Sequence, residues 1–287
     1  MPANPNNLIL RAKLLRLVRN FFDSRGFAEV DTPVRIPAPA PEVHIDCPPC
    51  GSSFLRASPE LQMKKLLAAG MEKIYQIGPC FRDGERGSRH NPEFTMLEWY
   101  RANGDYEDIA KDMEELVAEA YSVLKGVELP RPFKRLSVRD AYVRFAGWDP
   151  LESWDGERFD YDMALKIEPS LPPEPLFLYD YPAEAASLSR LKESDPRLAE
   201  RWELYLGGME LANAFSELTD PAEQRKRFLA AKEERKKLGE ADYPIDGEFL
   251  DVLGTMPPAG GVALGVDRLL MLLCGAKHIE EVRFIES

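Results

Sequence analysis

Residues Phe81–Arg101 read FRDGERGSRHNPEFTMLEWYR, and the fold turns on how this stretch is read. Its second part, Phe94 to Arg101, has the character of a strand. In an extended chain alternate side chains share a face, so Phe94, Met96, Glu98 and Tyr100 point one way and Thr95, Leu97, Trp99 and Arg101 the other. A carboxylate in line with aromatics is costly to bury unless a cation meets it. Either an internal Arg or Lys pairs with Glu98, or this face is a pocket wall that binds an ammonium group; the pattern alone leaves both open. The loop before it, Asp83 to Asn91, follows Arg82 and carries Glu85, Arg86, Arg89 and His90. Most loop charges are merely solvated, but arginines and a histidine beside a carboxylate and an aromatic face can clamp a polyphosphate. Lys73 to Phe81 reads as the preceding strand, which makes the whole a long hairpin.

Outward from the hairpin, strands and helices alternate without a βαβ rhythm. Upstream, a helix is expected from Leu8 to Arg25, with Leu10, Leu14, Leu17, Val18 and Phe21 on one stripe and Gly26 to end it. A short strand, Phe27 to Thr32, meets Pro33, and an irregular proline-rich stretch runs from Pro37 to Pro49. Ser58-Pro59-Glu60 opens the next helix as N-cap, first-turn proline and first-turn acid, and Gly70 closes it. Downstream, helices are expected over Asp105–Leu124 and Ser137–Ala146, and strand-like runs over Leu176–Tyr181 and Trp202–Ala212. Asp220-Pro221 starts a charged helix reaching Leu238, and Gly260 to Gly275 is a strand turning into a helix. Residues 131–175, rich in proline and acids towards their end, are expected to be an insertion within a single domain spanning 1–287. The pattern favours an α+β fold with a largely antiparallel sheet. Neither a GxxxxGK[ST] nor a GxGxxG sequence is present, so no P-loop or dinucleotide fold is supported.

The chain's 287 residues, 44% hydrophobic, suffice for a sizeable core. Its 37 Lys plus Arg against 49 Asp plus Glu give a formal charge of −12, which argues against extensive non-specific nucleic-acid binding and against a membrane surface. Cys47 and Cys50 form a CxxC, but Cys80 and Cys274 stand alone. His44 could add a third ligand, but zinc wants four, so reduced thiols are the favoured reading. No signal peptide is visible, and the apolar run Val262–Cys274 is interrupted by Asp267 and Arg268, so a cytoplasmic location is expected.

Two further segments carry chemistry. Gly260 to Arg268 reads GGVALGVDR: glycine admits close backbone approach, a helix start offers free N–H groups to anions, and Arg268 lies in the first turn. Alone, a tight strand–helix junction explains it as well. Glu210 and Glu217 bracket Leu211 to Ser216, and two such carboxylates can hold Mg²⁺ among phosphates, although the spacing alone is weak.

Together these pieces resemble a family. ASPELQMKKLLAAG, FRDGERGSRHNPEFTMLEWY, GMELANAFSELTD and GVALGVDRLLM are similar, in order, to the catalytic core of class II lysyl-tRNA synthetases, and FAEVDTP, with Pro33, to the first class II motif. The resemblance covers nearly the whole chain and begins almost at Met1, without the anticodon-reading OB-fold domain. It is therefore closest in kind to the freestanding elongation factor P–(R)-β-lysine ligases. In that group an alanine replaces a last-motif glycine, and Ala263 stands there, reshaping the amino-acid pocket. The resemblance implies a class II synthetase catalytic core, a mainly antiparallel sheet of six to seven strands flanked by helices. It implies activation of (R)-β-lysine or lysine by ATP and transfer to a lysine side chain of elongation factor P. It also implies a homodimer built on the first helix and the Pro33 segment.

Residue by residue, the resemblance implies that Arg82 holds the α-phosphate and that His90 and Arg268 lie near the outer phosphates. Asn91 lies near the adenine pocket, and Phe94 stacks on adenine with Arg268 on the other face. Gly265 and Leu211 contact the nucleotide through backbone, and Glu210 and Glu217 hold Mg²⁺. Ser58, Pro59 and Glu60 line the amino-acid site with Ala263, Glu60 meeting the backbone amine. Glu98, Tyr100 and Glu217 face the distal ammonium. One departure stands out: the family's Phe-Arg-x-Glu reads Phe81-Arg82-Asp83-Gly84 here, with Glu85 one place late. Asp83 or Glu85 is the candidate replacement, and a weakened but working site is expected. Two other readings stay open: a freestanding lysine-activating enzyme that charges tRNA or a small amine, and a non-catalytic paralogue acting as a regulatory subunit. The acidic charge disfavours the tRNA reading, and Arg82, Glu210, Glu217 and Arg268 favour an enzyme.

Overall fold

A computed structural model describes residues 4–285. In chain order its elements are α1 (Pro5–Asp23), β1 (Ala28–Glu29), β2 (Arg35–Ile36), β3 (Pro49–Cys50), β4 (Ser53–Leu55), α2 (Glu60–Ala68), β5 (Lys73–Phe81), β6 (Glu93–Ala102) and α3 (Tyr106–Lys125). There follow β7 (Lys134–Ser137), α4 (Val138–Ala141), α5 (Gly156–Asp162), β8 (Leu176–Pro182), β9 (Leu198–Leu206), β10 (Met209–Ser216), α6 (Pro221–Leu238), α7 (Gly247–Leu253), β11 (Ala259–Gly265) and α8 (Val266–Cys274). The chain forms two compact units, one of residues 1–103, 219–259 and 263–287, the other of 104–218 and 260–262.

In the first unit the sheet order is β1-β5-β6-β11. The expected hairpin is there, with β5 antiparallel to β6 from Lys73 opposite Arg101 to Phe81 opposite Glu93. Both faces of β6 are covered: Trp99 packs on Phe22 of α1, ring centroids 5.1 Å apart, while Glu98 and Tyr100 are buried on the other side. The stripe of α1 buries Leu14, Leu17, Val18, Phe21 and Phe22, and Asn4 caps the helix by accepting from Asn6 N at 3.0 Å.

Three expectations here need correction. The strand at Phe27–Thr32 shrinks to Ala28–Glu29, because the buried Arg56 guanidinium takes the next carbonyls: it donates to Thr32 O at 2.7 Å and Pro33 O at 3.3 Å. The proline-rich stretch is bracketed by a small sheet of order β2-β4-β3, whose two- and three-residue strands carry no period to read. Ser58 is not the N-cap of α2; Pro59 holds that position, and the Ser58 hydroxyl accepts from Glu60 N at 2.9 Å.

In the second unit the order is β11-β10-β9-β8-β7, with β8–β9 and β9–β10 antiparallel and β7–β8 parallel. Eight strands enter the orders of the two units, one beyond the six to seven expected. The run Trp202–Ala212, expected as one strand, is two: the chain reverses at Gly207-Gly208, whose φ of 60° and 70° suit a tight hairpin turn. Asp105 caps α3 by accepting from Glu107 N at 2.9 Å, and Gly126 ends it with φ 68°. Residues 138–170 are largely helical, with π-turns at Tyr142–Ala146 and Met163–Ile167, and they bury Tyr142 stacked on Phe159 at 4.6 Å. The expected helix Ser137–Ala146 thus runs as α4 and then a π-turn, with Ser137 as cap.

Candidate active site

In the first unit the geometry centres on Glu98. Its carboxylate is 1% exposed and accepts from Ser58 Oγ at 2.5 Å and Tyr100 Oη at 3.0 Å. Glu60 lies near enough for its charge to be felt, and is itself paired with the buried Lys64 at 2.6 Å. Burial, then the Glu60 charge, pushes the Glu98 carboxyl up to about 8, although Ser58, Tyr100 and Arg56 oppose the rise. No cation pairs directly with Glu98 among the described residues' ion pairs; its partners are two hydroxyls. The structural ion pair that the sequence pattern allowed is thus absent among the described residues, and a hydroxyl-held carboxylate of this kind can accept an ammonium group.

The loop after β5 puts Arg82 over the Phe94 ring, 5.1 Å from its centroid, and 3.6 Å from Glu85. Arg82 Nε is buried without a hydrogen-bond partner among the described residues. Such an orphaned donor beside an aromatic ring suits a phosphate-bearing ligand. Asn91 is held to the chain by donating to Glu93 O at 2.6 Å. His90 is drawn to the other basic group: Arg268 Nη2 lies 2.6 Å from His90 Nε2. Asp267, next to Arg268 in the chain, is buried, accepts from Thr95 N at 2.7 Å and pairs with Arg11. The N-terminus of α8 follows Gly265, which offers no side-chain cap. Ala263 and Gly265 are both part-exposed on β11. Gly84 takes φ 74°, and Glu85, one place on, is the acid nearest Arg82.

In the second unit lie the two carboxylates expected to hold a cation together. Glu210 and Glu217 are seven residues apart, which in a flat strand puts them on opposite faces. A bulge between Glu210 and Ala212 changes this: Glu210 faces Tyr205, while Asn213 faces Glu203 and Phe215 faces Arg201. Leu211 is the extra residue, so Glu210 joins the face of Asn213 and Phe215, while Glu217 lies just beyond the end of β10. Glu217 is buried and bridges through backbone to Ser189.

The same face carries residues that sequence reasoning missed. Glu203 is buried with Arg201 at 2.7 Å and accepts from Tyr205 Oη at 2.9 Å. Burial raises its carboxyl above the ordinary range; Arg201 opposes this and the Glu210 charge adds to it. The alternation Arg201, Glu203, Tyr205 against Trp202, Leu204, Leu206 was the available signal, hidden because the hairpin turn was not expected. Among the described residues no group of three or more His, Cys, Asp or Glu side chains is placed to hold a metal ion, and Glu203 is taken up by Arg201. Cys47 and Cys50 are free thiols, and burial pushes Cys47 up to about 11, away from thiolate chemistry. No described helix is long and apolar enough to cross a membrane.

A buried, hydroxyl-held carboxylate next to a basic nucleotide-type turn, on a hairpin of an α+β sheet, fits an amino-acid-activating core. The chain belongs to the tRNA synthetases class II (D, K and N) family, whose model matches residues 1–285. It is 39% identical to the elongation factor P–(R)-β-lysine ligase of Proteus mirabilis (strain HI4320), over 98% of this chain and 94% of that protein. It is 40% identical to the enzyme of the same name from Edwardsiella ictaluri (strain 93-146), over 96% and 93%. It is also 37% identical to the lysine–tRNA ligase of Dehalococcoides mccartyi, over 96% of this chain but 62% of that protein.

Proposed function

We propose that this chain activates (R)-β-lysine with ATP as an adenylate and transfers it to a lysine side chain of elongation factor P. The observation that carries the proposal is Glu98, buried between the hydroxyls of Ser58 and Tyr100 with Arg82 and Phe94 on the same hairpin. Coverage supports the acceptor: the chain spans 94% of the Proteus ligase and 62% of the lysine–tRNA ligase.

In the first unit Glu98 and Tyr100 receive the distal ammonium, while Ser58, Pro59 and Glu60 line the amino-acid site and Ala263 shapes it. Arg82 neutralises charge developing at the α-phosphate as the substrate carboxylate attacks phosphorus and pyrophosphate leaves. Arg268 and His90 grip the outer phosphates, Phe94 stacks on adenine, and Asn91, Asp83, Gly84 and Gly265 complete the nucleotide contacts. In the second unit Glu210 and Glu217 supply carboxylate oxygens, and Leu211, extruded by the bulge, offers its backbone. Mg²⁺, when bound, neutralises phosphate charge. The acceptor lysine amine then attacks the acyl carbonyl, an amide forms, and AMP leaves with the acyl–oxygen bond broken. Positioning supplies most of the acceleration, since no covalent enzyme intermediate is needed. A homodimer through α1 and the Thr32-Pro33 segment completes the proposal; light scattering at monomer mass would remove that part.

Amino-acid-dependent pyrophosphate exchange with α-lysine and (R)-β-lysine, followed by mass measurement of elongation factor P, tests the function. Exchange favouring (R)-β-lysine and a matching mass gain on the protein are expected. A mass gain on tRNA alone would overturn the acceptor, and no exchange with either amino acid would leave a non-catalytic paralogue.

A further inference from the structure

We propose that Arg235, on α6, is a positioning residue that fixes the Arg82–Asp83 turn through the loop at residues 42–46. Its bearing on catalysis rests on the reading above, in which Arg82 holds the nucleotide.

Arg235 is 1% exposed, and its three guanidinium nitrogens all donate. Nε donates to Ala241 O at 3.0 Å. Nη1 donates to Glu42 O at 2.8 Å, Ile45 O at 3.0 Å and Val43 O at 3.3 Å. Nη2 meets Asp46 Oδ1 at 2.6 Å. The guanidinium also lies over the Tyr243 ring, 4.3 Å from its centroid. A fully buried guanidinium that spends its donors on four carbonyls does more than balance one carboxylate. It moulds a segment that has no ladder of its own, since Glu42 to Asp46 belong to no strand or helix.

Tyr243, fully buried, adds a second tie. Its hydroxyl donates to Asp46 Oδ1 at 3.2 Å and accepts from Cys47 N at 2.8 Å. The moulded loop then reaches the site through backbone: Asp83 N donates to Asp46 O at 2.7 Å. The neighbouring amides are held elsewhere, Phe81 N by Arg56 O and Arg82 N by Pro92 O, each at 2.9 Å. Asp46 O is therefore the anchor of the first residue beyond Arg82, where the chain leaves β5. The link runs from α6 through Arg235 and Asp46 to Asp83, and no other described residue supplies the Asp83 amide with a backbone acceptor outside the loop.

The test uses the full chain with Arg235→Met, Arg235→Lys and Tyr243→Phe. Amide hydrogen exchange is read by mass spectrometry on the 81–92 peptide, and steady-state pyrophosphate exchange is run with ATP and the amino acid varied in turn. Arg235→Met is expected to speed exchange in that peptide at least about tenfold, with the β5–β6 ladder unchanged. The KM for ATP is expected to rise about tenfold while the KM for the amino acid stays within twofold; Arg235→Lys recovers part of both. Tyr243→Phe keeps the proposal testable if Arg235→Met does not fold, and is expected to show smaller changes in the same direction. A general loss of stability would lower the folded fraction and leave both KM values alone. Unchanged protection of the 81–92 peptide in a folded variant, or equal shifts in both KM values, would overturn the inference. If the wild-type chain shows no exchange with any diamino acid, the functional reading falls, and the amide-protection measurement still decides whether Arg235 positions the turn.

Discussion

If Glu98 receives the substrate's ammonium as proposed, binding is a proton-coupled event. With its carboxyl pushed up to about 8 by burial and the Glu60 charge, the unliganded site holds a proton at neutral pH. An ammonium group needs the carboxylate form. The competent fraction is roughly 0.09 at pH 7 and roughly 0.01 at pH 6, and apparent affinity scales with that fraction. The apparent Kd for the diamino substrate should therefore fall about tenfold from pH 6 to 7 and level off above about 8. At pH 7 the penalty is about 1.4 kcal/mol, and binding should release roughly 0.9 of a proton.

The assay is isothermal titration in buffers of different ionisation enthalpy, with KM from pH 6 to 9 as a second reading. Glu98→Gln should abolish the slope and raise KM about 10- to 200-fold, the worth of a hydrogen bond to a charged group. A flat wild-type profile with no proton release, or an unchanged slope in Glu98→Gln, would refute the reasoning. The sign for stability is opposite to the usual carboxylate case. The folded state keeps a proton that the unfolded state drops, so without substrate the protein loses stability as pH rises from the ordinary glutamate range through about 8, by up to about 1.4 kcal/mol per unit. Glu98→Gln should remove that dependence in denaturant melts.

Three other outcomes follow from particular contacts. Glu210→Gln should raise the Mg²⁺ concentration for half-maximal exchange about tenfold or more, since one of its carboxylate oxygens is lost; an unchanged Mg²⁺ profile would remove Glu210 from the cation site. Gly260→Ala places a Cβ 2.4 Å from Asp105 O and 2.7 Å from Ile109 Cγ1, so a loss of about 1–3 kcal/mol is expected in chemical denaturation, and wild-type stability would contradict the packing. Gly84→Glu, which restores the family's acid, must adopt φ near 74°, at a strain of about 1 kcal/mol, while Glu85 already lies 3.6 Å from Arg82. Pyrophosphate exchange should rise, but by less than about tenfold, and no rise would mean that Glu85 already does the work of the missing acid.

The hairpin was legible because its signal is local. Two strand-like runs flank a short polar loop, Asp83 to Asn91, so the hairpin followed from neighbouring residues, while its register came only with the structure. Helices α3 and α6 were legible for the same reason, each opening on an aspartate that accepts two first-turn amides and closing on a left-handed glycine. The small β2-β4-β3 sheet was not, since strands of two or three residues carry no period to detect. Nor was the role of Arg235: sequence places it in a run of lysines and glutamates that reads as a solvated face, and only the fold shows its guanidinium buried among carbonyls distant in sequence.

The carboxylates at and just beyond β10 make the sharper case, because there the expectation rested on an incomplete reason. Glu210 and Glu217 were paired by motif, although an odd separation on a regular strand would separate them. One extra residue at Leu211 reconciles the motif with the pleat, turning Glu210 to the side where Asn213 opposes Glu203. A bulge has no signature in alternation; it is an interruption of the very signal by which a strand is recognised. Glu203 was lost by the same mechanism one strand earlier, where Gly207-Gly208 splits what looks like a single run. Both departures from regular pairing bring acidic side chains to one face of one sheet, where burial and mutual repulsion raise the Glu203 carboxyl. Arg201, paired with Glu203 at 2.7 Å, offsets part of that cost within the fold, and on the proposed reading a cation held by Glu210 and Glu217 relieves more of it.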